Sequence, residues 1–532
     1  MNQAEKFKRL ACTEAIRNDL RASSVRAAGF MWAAGAADFV LRIGSIAILA
    51  RLILPEYFGL VMMVMAVTAI ADQFRDLGLS TVTVQRKEIT HQEVTNLFWI
   101  NVLAGILIAL VVCAASPLIS AYYKEPRLTI ITCILATNFI WGGLIVQHQA
   151  LLARRLKLGH SATVRVLSSL ISTLLAITLA WLGFGYWALI WREVLRSALL
   201  TVGMWFCLPW VPGLPCWKTD VKAMVHFGAN VSAAHILATI SSSVDRILIG
   251  RFWGAAPVAM YRQAYQLLVV PMEQLLTPIY HVTQPGLSML QTEDARYRRF
   301  YQKVLTVVCV ATMPLSLFVA LYSAEITRIV LGRKWLGCAQ LLMILSLGSF
   351  IRAPVAWSGH VLITRGRSKT YLGLTLIQNV TLILFMLIGV RWGIAGVAWA
   401  DVAATWLLIA PNLYFSFKDS PVTVGTFFST IARPAMASII MAIVLRLLYQ
   451  TLPPWGAPIF LALGGLVALV VFSSAWMLMP GGKAELTELL SDIRSALQRK
   501  VTRMKPVGPA VVAGQSQPAG TEKAVSLAGT IP

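Results

Sequence analysis

Long apolar runs of about twenty residues recur along most of this 532-residue chain and alternate with short polar segments. A helix of about twenty apolar residues is long enough to cross the hydrocarbon core of a bilayer. The pattern predicts fourteen membrane-spanning helices. Twelve is the alternative, because the second run is short and two pairs of runs are joined by tight glycine-containing turns. The predicted spans begin near residues 30, 57, 97, 128, 163, 185, 227, 262, 303, 338, 371, 393, 433 and 457.

The composition fits a membrane protein: 57% of the residues are hydrophobic and 13% are charged, whereas soluble proteins carry about 25% charged residues. Residues 1–28 are polar and basic without an early apolar core, so the first span is predicted to be an uncleaved anchor. The seven cysteines have no paired spacing, and neither a metal site nor a disulfide framework is expected.

The net charge of +23 is best explained by membrane topology. With the N-terminus placed in the cytoplasm, the inside segments hold roughly three times as many Lys and Arg as the outside loops, as the positive-inside rule requires. Both termini are therefore predicted to be cytoplasmic. Topology accounts for most of the basic excess, so no nucleic-acid partner is expected.

The same pattern divides the chain into segments. Two six-helix bundles are predicted over residues 29–208 and 227–417, with a cytoplasmic linker over 209–226 and two additional transmembrane helices over 418–480. An amphipathic helix follows, and its apolar face fits either membrane lipids of the inner leaflet or a soluble partner. The flanking segments are a cytoplasmic basic N-terminus (1–28), this amphipathic cytoplasmic helix (481–505) and a tail predicted to be disordered (506–532).

The two bundles repeat each other weakly. Three pairs of similar segments occur in the same order, at offsets of 200, 211 and 210 residues, and the first pair sets Arg51 against Arg251. Six spans fit within that offset, so the halves would share one orientation. Transporters commonly bind substrate between such repeats; chance similarity between apolar segments is the alternative. The pairs are AILARLILPEYFGL (47–60) with RILIGRFWGAAPVAMY (246–261), LLARRLKLG (151–159) with LITRGRSKT (362–370), and LGFGYWAL (182–189) with WGIAGVAW (392–399).

Three segments resemble a known family: DLGLSTVTVQRKEIT (76–90), LGFGYWALI (182–190) and IGRFWGAAPVAMYRQAYQL (249–267). They are similar to polysaccharide transporters, the Wzx-type flippases for lipid-linked oligosaccharides. That family shares a superfamily with multidrug and toxin extrusion transporters and the lipid II flippase. The resemblance runs from about residue 29 to about 480. It implies an all-α polytopic membrane protein with 12–14 transmembrane helices in two pseudo-symmetric bundles around a central cavity.

The resemblance also implies a function. An undecaprenyl-diphosphate-linked oligosaccharide repeat unit would move from the inner to the outer leaflet of the bacterial inner membrane, for exopolysaccharide, O-antigen or capsule synthesis. Alternating access is the implied mechanism, with H⁺ or Na⁺ as the coupling ion and no other cofactor. The polymerase and chain-length components of the same pathway are the expected protein partners.

Charged residues inside the predicted spans are the candidate substrate contacts, since an ionised side chain in a bilayer is costly and usually functional. Arginine suits a diphosphate because its planar fork donates two hydrogen bonds at once. Asp38 and Arg42 share one stripe of the first span with Ser45, and Asp245 and Arg246 open the second half. The alternative is that the first pair is self-neutralising and the second lies in the headgroup layer.

The sixth predicted span carries the densest intramembrane charge. Arg192 and Arg196 share a face and Glu193 lies beside them, which indicates either a phosphate site or a structural ion-pair network. Arg352 and Asp401 are isolated charges in the second half and are further candidates for the cavity wall.

One helix of the second half carries features of a gate. Pro271 and Pro278 lie seven residues apart on one face, and proline kinks a helix by removing a backbone donor. Glu273 lies between them. It is either a protonation site for ion coupling or a solvated residue at the membrane boundary.

Three other classes of function compete with the flippase. A cation-coupled drug antiporter of the same superfamily is disfavoured because the intramembrane charges are mostly basic. A membrane-embedded polymerase or ligase would need an external catalytic domain, whereas the longest predicted outside loop covers only residues 324–337. A purely structural scaffold would not need buried charges. No G-x-x-x-x-G-K-[ST] loop occurs, so ATP hydrolysis by this chain is not expected. Because the outside loops are too short to form a catalytic domain, the chain is not expected to be an enzyme.

Overall fold

The computed structural model describes residues 20–76, 78–86, 89–155, 158–215, 236, 239–451, 456–483 and 487. These residues form α-helices, two short 3₁₀ turns and connecting segments, with no β-strand among them. The chain separates into two units, Met1–Ala475 and Trp476–Pro532. The described part of the second unit is residues 476–483 and 487, which include the end of the helix Ala457–Leu478 and the turn that follows it, where Gly481 has φ 76°.

Seven helices of the first half lie within the described residues. They are α1 (Leu20–Leu52), α2 (Pro55–Asp76), α3 (Leu79–Gln85), α4 (His91–Tyr123), α5 (Leu128–Arg154), α6 (Leu158–Trp181) and α7 (Tyr186–Cys207). The second half and the additional helices are α8 (Val244–Trp253), α9 (Ala255–Met289), α10 (Asp294–Leu321), α11 (Ser323–Val330), α12 (Gly337–Thr364), α13 (Ser368–Gly389), α14 (Gly393–Leu407), α15 (Ile409–Phe417), α16 (Val424–Thr451) and α17 (Ala457–Leu478).

The apolar runs coincide with these helices, and the all-helical polytopic architecture is confirmed. Within the described residues, ten helical stretches are long and apolar enough to cross a membrane. One of them, Ser368–Phe417, contains two of the predicted spans. The span predicted near residue 227 begins outside the described residues. α1 begins at Leu20, ahead of the predicted start near residue 30.

The tight turns that made the span count ambiguous join separate helices. Gly183 and Gly185, between α6 and α7, have φ values of 86° and 57°, and Gly393 at the start of α14 has φ 81°. Only glycine adopts such values without strain. Both helix pairs are therefore hairpins.

The start of α4 is fixed by a capping box, which satisfies backbone N–H groups that the first turn of a helix leaves unpaired. The Glu93 amide donates to Thr90 Oγ1 at 3.2 Å, and the Thr90 amide donates to Glu93 Oε2 at 2.7 Å. Arg86 adds an ion pair to Glu93 at 2.8 Å. Further along α4, Gly105 packs against the Phe139 carbonyl of α5 with no room for a side chain, the close approach that small residues give membrane helices.

The described start of the predicted linker is held to the first half. Trp99 Nε1 donates to the Gly213 carbonyl at 2.8 Å, and Trp210 Nε1 donates to His91 Nδ1 at 3.0 Å. Residues 216–226 of the linker lie outside the described residues, as do residues 1–19 of the predicted N-terminal segment, most of the predicted amphipathic helix (481–505) and the whole predicted tail (506–532).

The two halves meet at the end of the bundle where α1 is followed by α2, called here the α1–α2 end. Trp335 Nε1 donates to the Ala50 carbonyl at 2.8 Å, and Arg51 Nη2 donates to the Ile329 carbonyl at 2.6 Å. In the opposite direction, Arg251 of the second half lies over the ring of Tyr122 of the first, 5.4 Å from its centroid.

Apolar packing reinforces this junction. Gly59 of α2 lies so close to Ala255 of α9 that a Cβ would overlap the Ala255 carbonyl. One buried apolar cluster contains Leu60 and Val64 of α2 together with Tyr261 of α9. The α1–α2 end is therefore closed by direct contact between the halves.

Candidate functional site

Charged side chains from both halves converge around Arg42 of α1. Arg42 interacts electrostatically with Asp38 on its own helix, with Arg192 of α7, and with Arg262 and Glu273 of α9. Among the described residues, the Arg42 guanidinium has no hydrogen-bond or salt-bridge partner. The residues predicted on the first, sixth and eighth spans thus lie near one another, at a junction between the halves.

Arg192 ties α7 to two neighbouring helices. Its Nη2 donates to Ser45 Oγ of α1 and its Nε to Thr173 Oγ1 of α6, both at 3.4 Å. Its Nη1 lies 3.6 Å from Glu193 Oε1. Arg192 therefore lies beside the stripe on α1 that carries Asp38, Arg42 and Ser45.

Glu193 also pairs with the second arginine of α7. Arg196 Nη2 lies 2.9 Å from Glu193 Oε2, and Arg196 interacts electrostatically with Asp38. One carboxylate therefore serves both arginines of α7.

Arg352 and Asp401, predicted as isolated charges, are paired with each other. The Arg352 guanidinium of α12 forms an ion pair with Asp401 of α14, and its Nη2 also donates to Thr405 Oγ1 at 3.0 Å. Asp401 is 5% exposed. The pair is neutral and joins two helices of the second half.

Asp245 and Arg246 lie at the start of α8, beside one another. Arg246 Nη2 donates to the Ser242 carbonyl at 3.0 Å and to Ser243 Oγ at 2.9 Å, while Asp245 Oδ1 accepts from the Arg246 amide at 2.7 Å. The buried Asp245 interacts electrostatically with Asp401. Both predicted clusters of the second half are therefore near each other.

Arg262 of α9 is the residue that the sequence predictions missed. It interacts electrostatically with Arg42 of the first half and with both Asp245 and Arg246 of the second. Its guanidinium lies 5.4 Å from the centroid of the Tyr265 ring. Within the described part of the chain it has no hydrogen bond or ion pair, and it links the two groups of charges.

The sequence feature that could have identified Arg262 is its basic side chain within the apolar stretch that follows Gly254. Because the predicted span starts near residue 262, Arg262 was indistinguishable from a headgroup-facing residue.

The proline-bearing helix is continuous. α9 runs through Pro271, Pro278 and a third proline, Pro285, over 35 residues. Glu273 is exposed and interacts electrostatically with Arg42 across the junction and with Tyr280 on its own helix. The three prolines and Glu273 thus belong to the same helix.

Within the described residues, no group of three or more His, Cys, Asp or Glu side chains is arranged to hold a metal ion. The chemistry available at the junction is therefore that of arginine, carboxylate, hydroxyl and phenol groups.

Comparison with known proteins places the sequence among membrane proteins of polysaccharide biosynthesis. A family described as "Polysaccharide biosynthesis protein" matches residues 48–340. The lipopolysaccharide biosynthesis protein WzxC of Escherichia coli (strain K12) is 28% identical over 350 residues, covering 64% of this chain and 70% of WzxC. The succinoglycan biosynthesis transport protein ExoT of Rhizobium meliloti (strain 1021) is 23% identical over 419 residues, covering 77% of this chain and 84% of ExoT.

Solved structures share the fold. The lipid II flippase MurJ in an inward closed conformation superimposes with a TM-score of 0.69 at 15% identity, covering 86% of this chain and 98% of MurJ. An inward-facing multidrug resistance MATE family transporter of the MOP superfamily gives a TM-score of 0.51 at 14% identity, covering 73% of this chain and 93% of that protein. At these identities the likeness establishes the architecture alone.

Proposed function

The chain belongs to the polysaccharide biosynthesis protein family, and we propose that it is a flippase for an undecaprenyl-diphosphate-linked oligosaccharide. The repeat unit would pass from the inner to the outer leaflet of the bacterial inner membrane for exopolysaccharide, O-antigen or capsule synthesis. Relatives named for lipopolysaccharide biosynthesis and for succinoglycan transport support this assignment.

The observation that carries the proposal is the relation between Arg42 and Arg262. One comes from each half, they interact electrostatically, and neither has a carboxylate within salt-bridge distance among the described residues. Asp38 and Glu273 act on Arg42 only from beyond salt-bridge distance. Like charges in a partly buried site repel each other, and an anion bound between them offsets that repulsion. A diphosphate supplies that anion, and each guanidinium can hold it through two hydrogen bonds.

Alternating access is the proposed mechanism. The charge distribution of the sequence predicts that the α1–α2 end faces the outer side of the membrane. The conformation described here would then be closed toward the outside, and the charged junction would be reached from the cytoplasmic side. Transport requires the contacts of the α1–α2 end to break while others form at the opposite end.

The driving force and partners are further parts of the proposal. Glu273 is the acidic residue proposed for H⁺ coupling, since it interacts with Arg42 from the opposite half. Na⁺ is the other candidate ion. The polymerase and chain-length components of the same pathway are the proposed protein partners. We place both termini in the cytoplasm.

Two other functions fit the site less well. A cationic drug would face Arg42 and Arg262, so the drug antiporter is disfavoured. For a polymerase or ligase, the loop over residues 324–337 would have to carry catalysis. Most of it is instead the short helix α11 and a 3₁₀ turn, Arg333–Trp335, whose Trp335 packs at the α1–α2 end.

Reconstitution tests the proposal. The full chain is placed in proteoliposomes with fluorescently labelled lipid-linked oligosaccharide, extracted from cells that lack this gene and therefore accumulate its substrate. We expect movement between leaflets well above that of protein-free vesicles, and no transport of ethidium. Ethidium transport without lipid movement would identify the drug antiporter, and incorporation of the oligosaccharide into polymer would identify an enzyme.

A further inference from the structure

A polar cavity lies inside the first half, apart from the junction between the halves. Its volume is about 320 Å³, and α2, α5 and α7 form its walls. Small-molecule sites occupy about 300–1,000 Å³, so the cavity is large enough for a sugar-sized group and too small for a long oligosaccharide. Its polar lining residues include Asp72, Arg75, Asn138, Glu193, Arg196 and Ser197.

The cavity is rich in polar groups but electrically balanced. Arg75 Nε lies 3.2 Å from Asp72 Oδ1, and Arg196 Nη2 lies 2.9 Å from Glu193 Oε2. A phosphate in this space would meet two carboxylates, and a metal cation would meet two guanidinium groups. The lining therefore fits an uncharged group that both donates and accepts hydrogen bonds, which is the chemistry of sugar hydroxyls.

Two polar atoms of the lining lack a hydrogen bond among the described residues: Arg75 Nε, which keeps its ion pair with Asp72, and Asn138 Oδ1. Asn138 Oδ1 is buried and has no hydrogen bond among the described residues. A buried acceptor without a donor destabilises a protein. A ligand hydroxyl entering the cavity would supply the missing donor.

The cavity adjoins the charged junction through α7. Arg196 lines the cavity and interacts electrostatically with Asp38, while Glu193, also in the lining, lies 3.6 Å from Arg192. A ligand whose charged part lies near Arg42 could therefore extend an uncharged part into this space.

We propose that this cavity binds the sugars closest to the diphosphate of the lipid-linked substrate and selects among them. The assignment rests on the proposed flippase function. Under it, the arginines of the junction recognise the diphosphate common to all such lipids, and the cavity in the first half recognises the sugar that distinguishes them.

A binding experiment on the purified full chain separates the two roles. Native mass spectrometry measures affinity for undecaprenyl diphosphate and for the lipid-linked oligosaccharide extracted from cells lacking this gene. The wild type should prefer the oligosaccharide lipid by about tenfold or more, a difference of about 1.4 kcal/mol. Ala69→Leu places a larger side chain in the cavity lining and should reduce the preference to near unity, while affinity for undecaprenyl diphosphate stays within about twofold.

Two further variants distinguish loss of the sugar site from misfolding. Ala114→Leu makes the same change at an exposed position of α4 and should keep the preference. Asn138→Leu removes the unpartnered acceptor at similar volume and should lower the preference without lowering the melting temperature.

Equal weakening of both ligands by Ala69→Leu, no weakening of either, or a wild type with no preference would each overturn the sugar site. A wild type that binds neither lipid would overturn the proposed function, and this assignment with it.

Discussion

Trp335 donates its indole N–H to the backbone carbonyl of Ala50 at 2.8 Å, which joins the second half to the end of α1. The same ring packs edge-to-face on Phe58 of α2, with the centroids 5.3 Å apart. The tryptophan thus contributes one polar and one aromatic contact to the closed α1–α2 end, and phenylalanine would keep only the second.

Trp335→Phe should therefore favour opening at this end. A hydrogen bond contributes about 1 kcal/mol net, so the open population should rise about fivefold. Spin labels on Leu54 and Leu336, both exposed, would report the change by pulsed electron paramagnetic resonance. Trp253→Phe is the matched control, since Trp253 Nε1 donates to the Val390 carbonyl within the second half. Equal shifts in both variants would exclude a specific role for Trp335.

Substitution of Arg42 and Arg262 should impair lipid transport in graded steps. Alanine removes both the charge and the planar guanidinium group, whereas lysine keeps the charge and loses the bidentate geometry. We expect transport by each alanine variant to fall by about tenfold or more, corresponding to at least one charge-assisted hydrogen bond of about 1.5–3 kcal/mol. Lysine variants should retain partial activity in the proteoliposome assay.

The control for these variants is Arg446→Ala. Arg446 lies on α16, stacked over Tyr449 at 5.9 Å. A loss of transport in this variant as large as that of Arg42→Ala would indicate a general need for arginine, not a site at the junction.

Breaking the ion pair between Arg352 and Asp401 should destabilise the protein. Asp401→Asn leaves the guanidinium without its charged partner, a change that costs about 3–5 kcal/mol for a fully buried pair. Arg352 is 31% exposed, so we expect the lower end of that range. Thermal unfolding followed by tryptophan fluorescence should register it as a lower melting temperature. Replacing both residues at once, as Arg352→Met with Asp401→Leu, should recover most of the loss, and an equal loss in the double variant would contradict this account.

An ion network in the loop between α4 and α5 makes the stability of the folded protein depend on pH. Arg127 bonds to Glu125 at 2.7 Å and to Glu56 of α2 at 2.6 Å, and its hydrogen bonds hold the pKa of Glu125 below the ordinary value of 4.5. A lowered folded-state pKa contributes stability above the unfolded pKa, and this stability is lost as the pH falls through the folded value.

Glu125→Gln should therefore lower the melting temperature slightly at pH 6–7, and the difference from wild type should shrink below about pH 4.5. Asp419→Asn, which removes an exposed carboxylate 3.8 Å from Arg367, controls for the loss of a surface charge. A difference for Glu125→Gln that persists unchanged at low pH would argue against the network.

Glu273→Gln tests the coupling proposal. If protonation of Glu273 drives the cycle, this variant should transport lipid at a rate independent of an imposed pH gradient. Wild type should respond to the gradient, and Glu293→Gln, in the loop between α9 and α10, should behave as wild type. A full gradient response in Glu273→Gln would assign coupling to another residue or to Na⁺.

The apolar runs were sufficient to locate the helices, because the length needed to cross a bilayer leaves few alternatives. They could not specify contacts between helices distant in sequence. Arg352 and Asp401 are 49 residues apart and pair only because α12 packs on α14. Arg262 gains its importance from Arg42, a residue of the other half, and the folding of the 324–337 loop as α11 depends on the surface it covers. The charge stripe on α1 was predictable because it is local to one helix.

The contacts of Arg51 and Arg251, which the predicted repeat sets against each other, have a consequence for how the α1–α2 end opens. Arg51 donates from the first half to the Ile329 carbonyl of the second, and Arg251 of the second half lies over the ring of Tyr122 of the first. Each half thus contributes one arginine, called here an arm, that contacts the other half. Releasing one arm leaves the other in place, so opening can proceed through a half-released intermediate. Loss of either arm alone should increase the occupancy of that intermediate, whereas loss of both should remove it from the pathway.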